Sequence, residues 1–216
     1  MEDKLTSRFF LDTDPTITKL VFEIPNTWWS RFYEYAWASL FAEPGDTVMD
    51  AGCGICHPFK FFLADRCSEV HACDNDQRIL SPEAILQELK YYLSPDAVAG
   101  FPQRYFEEIK FLQADITSLP YQSETFDKIF CISVLEHLSP EMIILTLQEF
   151  RRVLKKNGYI VLTFDYPVIN LDSFSLHVVE SGLKFPRPIS FQLPSNAINS
   201  SLYDLYCYRT ILTKLD

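Results

Sequence analysis

The stretch Met49–Phe59, MDAGCGICHPF, holds two overlapping sets of residues with different chemistry. Cys53, Cys56 and His57 spell C-x-x-C-H, the spacing at which a c-type haem is attached covalently. Asp50, Gly52 and Gly54 spell D-x-G-x-G, an acid followed by two residues without Cβ, a pattern that lets the backbone turn tightly off a strand and approach a ligand closely. A dinucleotide fingerprint wants glycine or alanine at the sixth place of G-x-G-x-x-G, where the helix packs closely, and His57 stands there, which counts against NAD. Three further acids, Asp74, Asp115 and Asp165, each end a short apolar run. At the end of the second strand of a doubly wound sheet a carboxylate accepts both hydroxyls of an unphosphorylated ribose, which is the place of Asp74. One at Asp115 accepts a hydrogen bond from an adenine amino group. Ribose and adenine without phosphate fit S-adenosylmethionine.

Five runs, TVMDAG, EVHACD, IKFLQAD, DKIFCIS and GYIVLTFD, resemble buried strands, and most of the intervals between them carry helical patterns. The clearest helix is EMIILTLQEFRRVLKKNG, with Ile143, Leu147, Phe150 and Leu154 on one face, Ser139-Pro140 at its start and Lys155, Lys156 and Gly158 at its end. PNTWWSRFYEYAWASLFAEPGD reads as a helix entered through Asn26 or Thr27 and stopped by Pro44-Gly45. Pro58 suits the first turn of the helix after the glycines, with Phe59, Phe62 and Leu63 facing inward. In the tail, PISFQLP and SLYDLYCYRTILTKL read as an antiparallel hairpin. The expected fold is α/β, a doubly wound, mostly parallel seven-stranded sheet with helices on both faces and a C-terminal antiparallel hairpin. Residues 1–216 are expected as one domain: an N-terminal helical cap over 1–45, a cofactor-binding core over 46–165, and a helix with the hairpin over 166–216.

The chain has 216 residues, 48% of them hydrophobic, enough to bury a sizeable core. A net charge of -10 disfavours nucleic acid and anionic membranes as partners. The charged first residues lack an apolar signal region, and no run is long enough to span a membrane, so a cytoplasmic protein is expected. That compartment argues against haem attachment, and the remaining cysteines, in apolar runs, read as small buried hydrophobes.

The runs VMDAGCG, VHACDNDQRIL, FLQADITSLPYQSETFDKIFCISVLEHL and LQEFRRVLKKNGYIVLTF, in this order, resemble the successive motifs of class I S-adenosylmethionine-dependent methyltransferases over about residues 46 to 165. The resemblance implies that fold and that cofactor, and methyl transfer as the activity. It places Asp50, Gly52 and Gly54 along the methionine part of the cofactor, with Cys53 in the same turn. Asp74 is implied on the ribose beside Asn75, Asp115 with Ile116 on the adenine, and the backbone at Ile132 and Ser133 on the methyl-transfer side. Cys56 stands where the family has its third glycine.

On the acceptor side, His137 is the candidate catalytic residue, a general base for removing an acceptor proton, against the alternative of simple packing. Glu136-His137 is similar to the end of E-x-x-E-H, a metal-binding arrangement in some O-methyltransferases, but its first glutamate is Ser133 here, and no metal is expected. Trp28, Trp29, Tyr33 and Tyr35, with Arg31, are the candidate acceptor contacts, though core packing explains rings equally well; Arg31 and Glu34 read either as substrate contacts or as a solvated face, with the solvated face favoured. The segment between the second and third strands carries a helix to about Leu93 and then an insertion. The leading function is methylation of a small molecule. The alternatives are a catalytically idle cofactor-binding module and a methyltransferase for protein or RNA.

Overall fold

The computed structural model describes residues 4–215. Strand β1 (Arg8–Phe9) comes first, followed by helix α1 (Arg31–Ala38) and a 3-10 turn at Ser39–Phe41. The core then alternates β2 (Thr47–Ala51), α2 (Phe59–Ala64), β3 (Glu69–Asp74), α3 (Pro82–Leu89), α4 (Pro95–Ala99), α5 (Arg104–Glu108), β4 (Ile109–Gln113), β5 (Phe126–Ile132), α6 (Pro140–Val153) and β6 (Leu154–Tyr166). Helix α7 (Leu171–Glu180), β7 (Leu183–Lys184), β8 (Asn199–Ser200) and β9 (Leu205–Lys214) complete it. The main path through the sheet is β1-β9-β6-β5-β2-β3-β4, with β7 and β8 pairing β9 beside it. The pairs among β6, β5, β2, β3 and β4 are parallel, and β9 is antiparallel to β6 and β1.

Alternation along the strands sends side chains to two cores, as period-two geometry requires. Met49, Ile129, Cys131, Ile160 and Leu162 belong to the core with α6 and α7 residues such as Phe150 and Phe174. Val48, Phe130 and Val161 belong to the other, with Phe61 of α2, Ile85 of α3 and Tyr35 of α1. Ser-Pro opens three helices: Ser81, Ser94 and Ser139 each accept a backbone N–H while proline occupies the first turn.

The structure differs from the sequence reading at several places. Helix α6 stops at Val153, because Leu154 is already extended and pairs with Phe126. Lys155 therefore serves β6, donating to Asp127 at 2.7 Å, and Gly158 gives room for the Asp127 carbonyl, which a Cβ would meet at 2.7 Å. The antiparallel pairing at the sheet's end is there, but its long partners are β9 and β6; PISFQLP makes only an isolated bridge at Ile189, since prolines at 186, 188 and 194 interrupt its donors. The first 45 residues, expected as a helical cap, also supply β1, with Phe9 and Phe10 buried. Trp28 and Trp29 precede α1 in a turn, its N-cap being Ser30. In α2 it is Phe61 rather than Phe62 that is fully buried. The insertion forms α4 and α5, and His137 lies in a 3-10 turn, Leu135–His137, ahead of α6.

Candidate active site

The chain runs β2, β3, β4 toward one edge and then returns to β5 on the other side of β2, so the sheet has its switch point between β2 and β5. A crevice opens outside the carboxyl ends of parallel strands at such a point. A cavity of about 390 Å³ lies there. All ten residues expected at the cofactor line it: Asp50, Gly52, Cys53 and Gly54 at the end of β2 and the turn that follows, Asp74 and Asn75 at the end of β3, Asp115 and Ile116 after β4, and Ile132 and Ser133 at the end of β5.

Gly52 and Gly54 have φ of +68° and +60°, the left-handed region that costs other residues. A Cβ on Gly52 would meet Val134 at 2.7 Å, and one on Gly54 would meet His57 at 2.5 Å. The turn is tied to β3, with the N–H groups of Gly52 and Cys53 donating to the Cys73 carbonyl and that of Gly54 to Asp74 Oδ2 at 2.8 Å. Asp74 Oδ1 accepts from the N–H of Asp76 at 3.0 Å. Each oxygen of Asp74 has spent one lone pair and keeps another, enough for two ribose hydroxyls. Asp115 Oδ1 accepts from Thr117 N–H and Oγ1, and its Oδ2 is the oxygen left for an adenine amino group.

Sequence reasoning missed Lys60. It is fully buried beneath the turn, its ammonium donating to the carbonyls of Cys53 at 3.3 Å, Gly54 at 2.7 Å and His57 at 2.8 Å. It braces the loop in which Cys56 replaces a glycine. Asp50 is buried, and its Oδ2 has no hydrogen-bond partner. Burial pushes its carboxyl up to about 7, with Lys60 pulling it down and Asp74 pushing it up. An orphaned carboxylate oxygen beside a glycine turn is what the ammonium of a methionine moiety would satisfy, so the residues present fit S-adenosylmethionine.

A second cavity, about 250 Å³, adjoins the first and shares Arg31, His57, Ser133 and His137 with it. Trp28, Trp29, Glu136 and Asp165 also line it. Trp28 stacks on His57 at 4.2 Å, and Tyr35, lining the first cavity, hydrogen-bonds His57 Nδ1 at 2.8 Å. Tyr33 lines neither, packing instead against Phe10 at 6.4 Å. Burial, with Arg31 and Lys60 nearby, holds the His57 imidazole well below its usual pKa and so neutral. Its place at both cavities is not legible in the sequence, where it reads as the histidine of C-x-x-C-H and as an absent glycine at the sixth position of the glycine pattern.

Glu34, read as part of a solvated face, is completely buried. Its carboxylate accepts from Ser30 at 2.8 Å, Ser133 Oγ at 2.7 Å, Thr163 Oγ1 and Arg31. Burial pushes this carboxyl up, but Arg31 and the hydrogen bonds outweigh it and hold it low. The other two acids go the opposite way. Burial raises Glu136 to about 8, and burial with the Glu34 charge raises Asp165 to about 6.

Cys53 and Cys56 are buried in the apolar core, and His57 is engaged by Tyr35. No group of three metal-ligating side chains occurs among the described residues. A Cys53→Ser, Cys56→Ser double variant is expected to keep its cofactor affinity in a calorimetric titration, apart from modest packing losses. Stoichiometric zinc or haem in the wild-type protein would contradict this.

Residues 49–162 match a family model described as Methyltransferase domain. Over 80 residues the chain is 35% identical to an uncharacterized protein of Methanocaldococcus jannaschii, covering 37% of this chain and 32% of that one. Over 128 residues it is 27% identical to the sterol 24-C-methyltransferase of Pneumocystis carinii, covering 58% and 29%. It thus spans about a third of the length of these curated relatives. Among solved structures, a TehB-like methyltransferase from Corynebacterium glutamicum aligns with TM-score 0.56 and 17% identity over 84% of this chain and 86% of that one. The magnesium protoporphyrin IX methyltransferase of Synechocystis aligns with 0.56 and 17% over 83% and 76%. The cyclase SpnF aligns with 0.62 and 13% over 96% and 87%. At these identities the structural likeness speaks for the fold. The family match covers more than half of the chain and falls on the strands that carry the glycine turn and its acids: this chain belongs to the methyltransferase-domain family, the class I S-adenosylmethionine-dependent methyltransferases.

Proposed function

We propose that this protein transfers a methyl group from S-adenosylmethionine to a small molecule held in the second cavity. The observation that carries this reading is the junction of the two cavities: the crevice lined by the strand-end acids opens, past Arg31, His57, Ser133 and His137, onto a space walled by two tryptophans. When bound, the cofactor supplies a methyl on a sulfonium, already activated for displacement. Asp50 takes its ammonium, Asp74 its ribose and Asp115 its adenine amino group, while Gly52 and Gly54 let the backbone come close. The remaining task is alignment and exclusion of water, which rigid walls accomplish by holding the acceptor in line. Trp28, fixed by His57 on one side and Tyr92 on the other, is such a wall. His137 lines both cavities, and with Glu136 and Asp165 beside it the acceptor pocket holds three groups able to take an acceptor proton. The six free cysteines favour a reducing, cytoplasmic setting, and the net charge of -10 speaks against nucleic acid as acceptor. No helix among the described residues is long and apolar enough to cross a membrane.

With methyl-labelled S-adenosylmethionine and separated cell fractions, label is expected in the low-mass fraction. Label in protein or RNA, or in nothing, would overturn the reading. Trp28→Ala should lower transfer at least about tenfold while leaving S-adenosylhomocysteine affinity within about twofold, since an indole wall is lost from the acceptor side alone.

A further inference from the structure

We propose that the acceptor carries a basic nitrogen, bound as an ammonium between the Trp28 and Trp29 indoles and the carboxylates of Glu136 and Asp165. This rests on the reading of the second cavity as the acceptor site. The charges facing that cavity do not balance. From α1, Arg31 is matched by Glu34. From the glycine turn, His57 is neutral, and Lys60 is spent on three carbonyls beside Asp50. Glu136, from the turn after β5, and Asp165, from β6, face the same space; His137, on the same turn as Glu136, also lines it but makes no ion pair with either acid, and Glu136 Oε2 and Asp165 Oδ1 are buried without hydrogen-bond partners. Such oxygens are costly unless a donor meets them. An ammonium supplies three donors and a positive charge together. Burial holds a proton on Glu136 near neutral pH when the cavity is empty, and an arriving ammonium draws both acids into the charged form; a carboxylate or phosphate acceptor finds no unmatched cation beside Asp165, and a hydroxyl would leave one oxygen orphaned. The two indoles add the aromatic faces on which alkylammonium groups rest.

The same carboxylates complete the chemistry. An ammonium has no lone pair, so one of its protons must first pass to Asp165 or Glu136. The freed nitrogen pair then forms the bond to the methyl carbon as the carbon–sulfur bond breaks, its electrons going to sulfur. The product leaves as an N-methylammonium, and the proton on the carboxyl is returned to solvent.

The test is binding to the protein loaded with S-adenosylhomocysteine, read by tryptophan fluorescence, of three matched series: benzylamine, benzyl alcohol and benzoate; tryptamine, tryptophol and indoleacetate; hexylamine, hexanol and hexanoate. In at least one series the amine is expected to bind at least about tenfold tighter than its alcohol and acid. A Glu136→Gln, Asp165→Asn double variant should lose that preference while binding S-adenosylhomocysteine as the wild type does. Glu136→Gln alone is the fallback if the double variant does not fold. A preference for the alcohol or acid, absence of saturable amine binding, or an undiminished preference in the variant overturns the proposal. Calorimetry with S-adenosylhomocysteine on the same sample separates this from a failure of the cofactor site. The amine series, repeated without the nucleoside, then still decides the charge argument.

Discussion

Glu34→Ala is expected to destabilise the protein by about 3 to 5 kcal/mol, the cost of leaving one partner of a buried ion pair alone. Glu34 is entirely buried, and its two oxygens gather Arg31, Ser30, Ser133 and Thr163. Its loss strands the Arg31 guanidinium and several hydroxyls at once. It also releases Ser133, which holds φ of 50° at the end of β5, a conformation that non-glycine residues keep only when their surroundings impose it. Ile132 and Ser133 line the cofactor cavity, so cofactor affinity should fall with stability. Glu34→Gln, which keeps the shape and loses the charge, should fall between. Urea unfolding of the three proteins checks this; an alanine variant as stable as wild type would mean that the network holds nothing.

Asp50→Asn should do the reverse to stability and still harm function. The folded carboxyl titrates near 7, against about 3.9 in an unfolded chain. The folded protein therefore holds a proton that the unfolded chain has released. This contribution to stability is complete below about pH 4 and is lost as pH rises through 7. At pH 8 the ligand-free wild type carries a buried charge whose cost is on the order of 4 kcal/mol, which the asparagine variant lacks. The variant should unfold at higher urea than wild type at pH 8, with the gap closing toward pH 4. A slope of at least comparable size should remain in both proteins from Glu136 and Asp165, which are raised in the same sense, so the gap between the two proteins is what isolates Asp50. S-adenosylhomocysteine affinity should drop at least about tenfold, because a hydrogen bond from its ammonium to a charge is gone. A variant less stable than wild type at pH 8 would contradict the assignment. Stability given up at a binding site for charge that only a ligand satisfies is the expected direction of such a trade.

What could be read from the sequence was local. The ten cofactor-lining residues lie on strand ends marked by apolar runs, glycines and acids, and those patterns place them without knowledge of packing. The acceptor side depends on distant pairs: Glu34 reaches Ser133 and Thr163, far along the chain, and only the docking of α1 on the sheet makes it buried rather than solvated. Lys60 drew no reading from the sequence because its partners are carbonyls, which no side-chain pattern displays. Strand β1, two residues long, is too short for periodicity, yet it pairs with β9. PISFQLP had the right alternation but too many prolines for a ladder. Helix α6 and β6 share the run RRVLKK, where pairing of Leu154 with Phe126 overrides the helical pattern.

The central claim is that the crevice at the ends of β2, β3 and β4 binds the nucleoside of S-adenosylmethionine with Asp74 on the ribose. Calorimetric titration of S-adenosylhomocysteine into wild type and Asp74→Ala tests it most directly. The expected result is binding at a single site in the wild type and a loss of about 1.5 to 3 kcal/mol in the variant, the range for hydrogen bonds to a charged group. Undiminished affinity in Asp74→Ala, with the fold intact, would contradict the account.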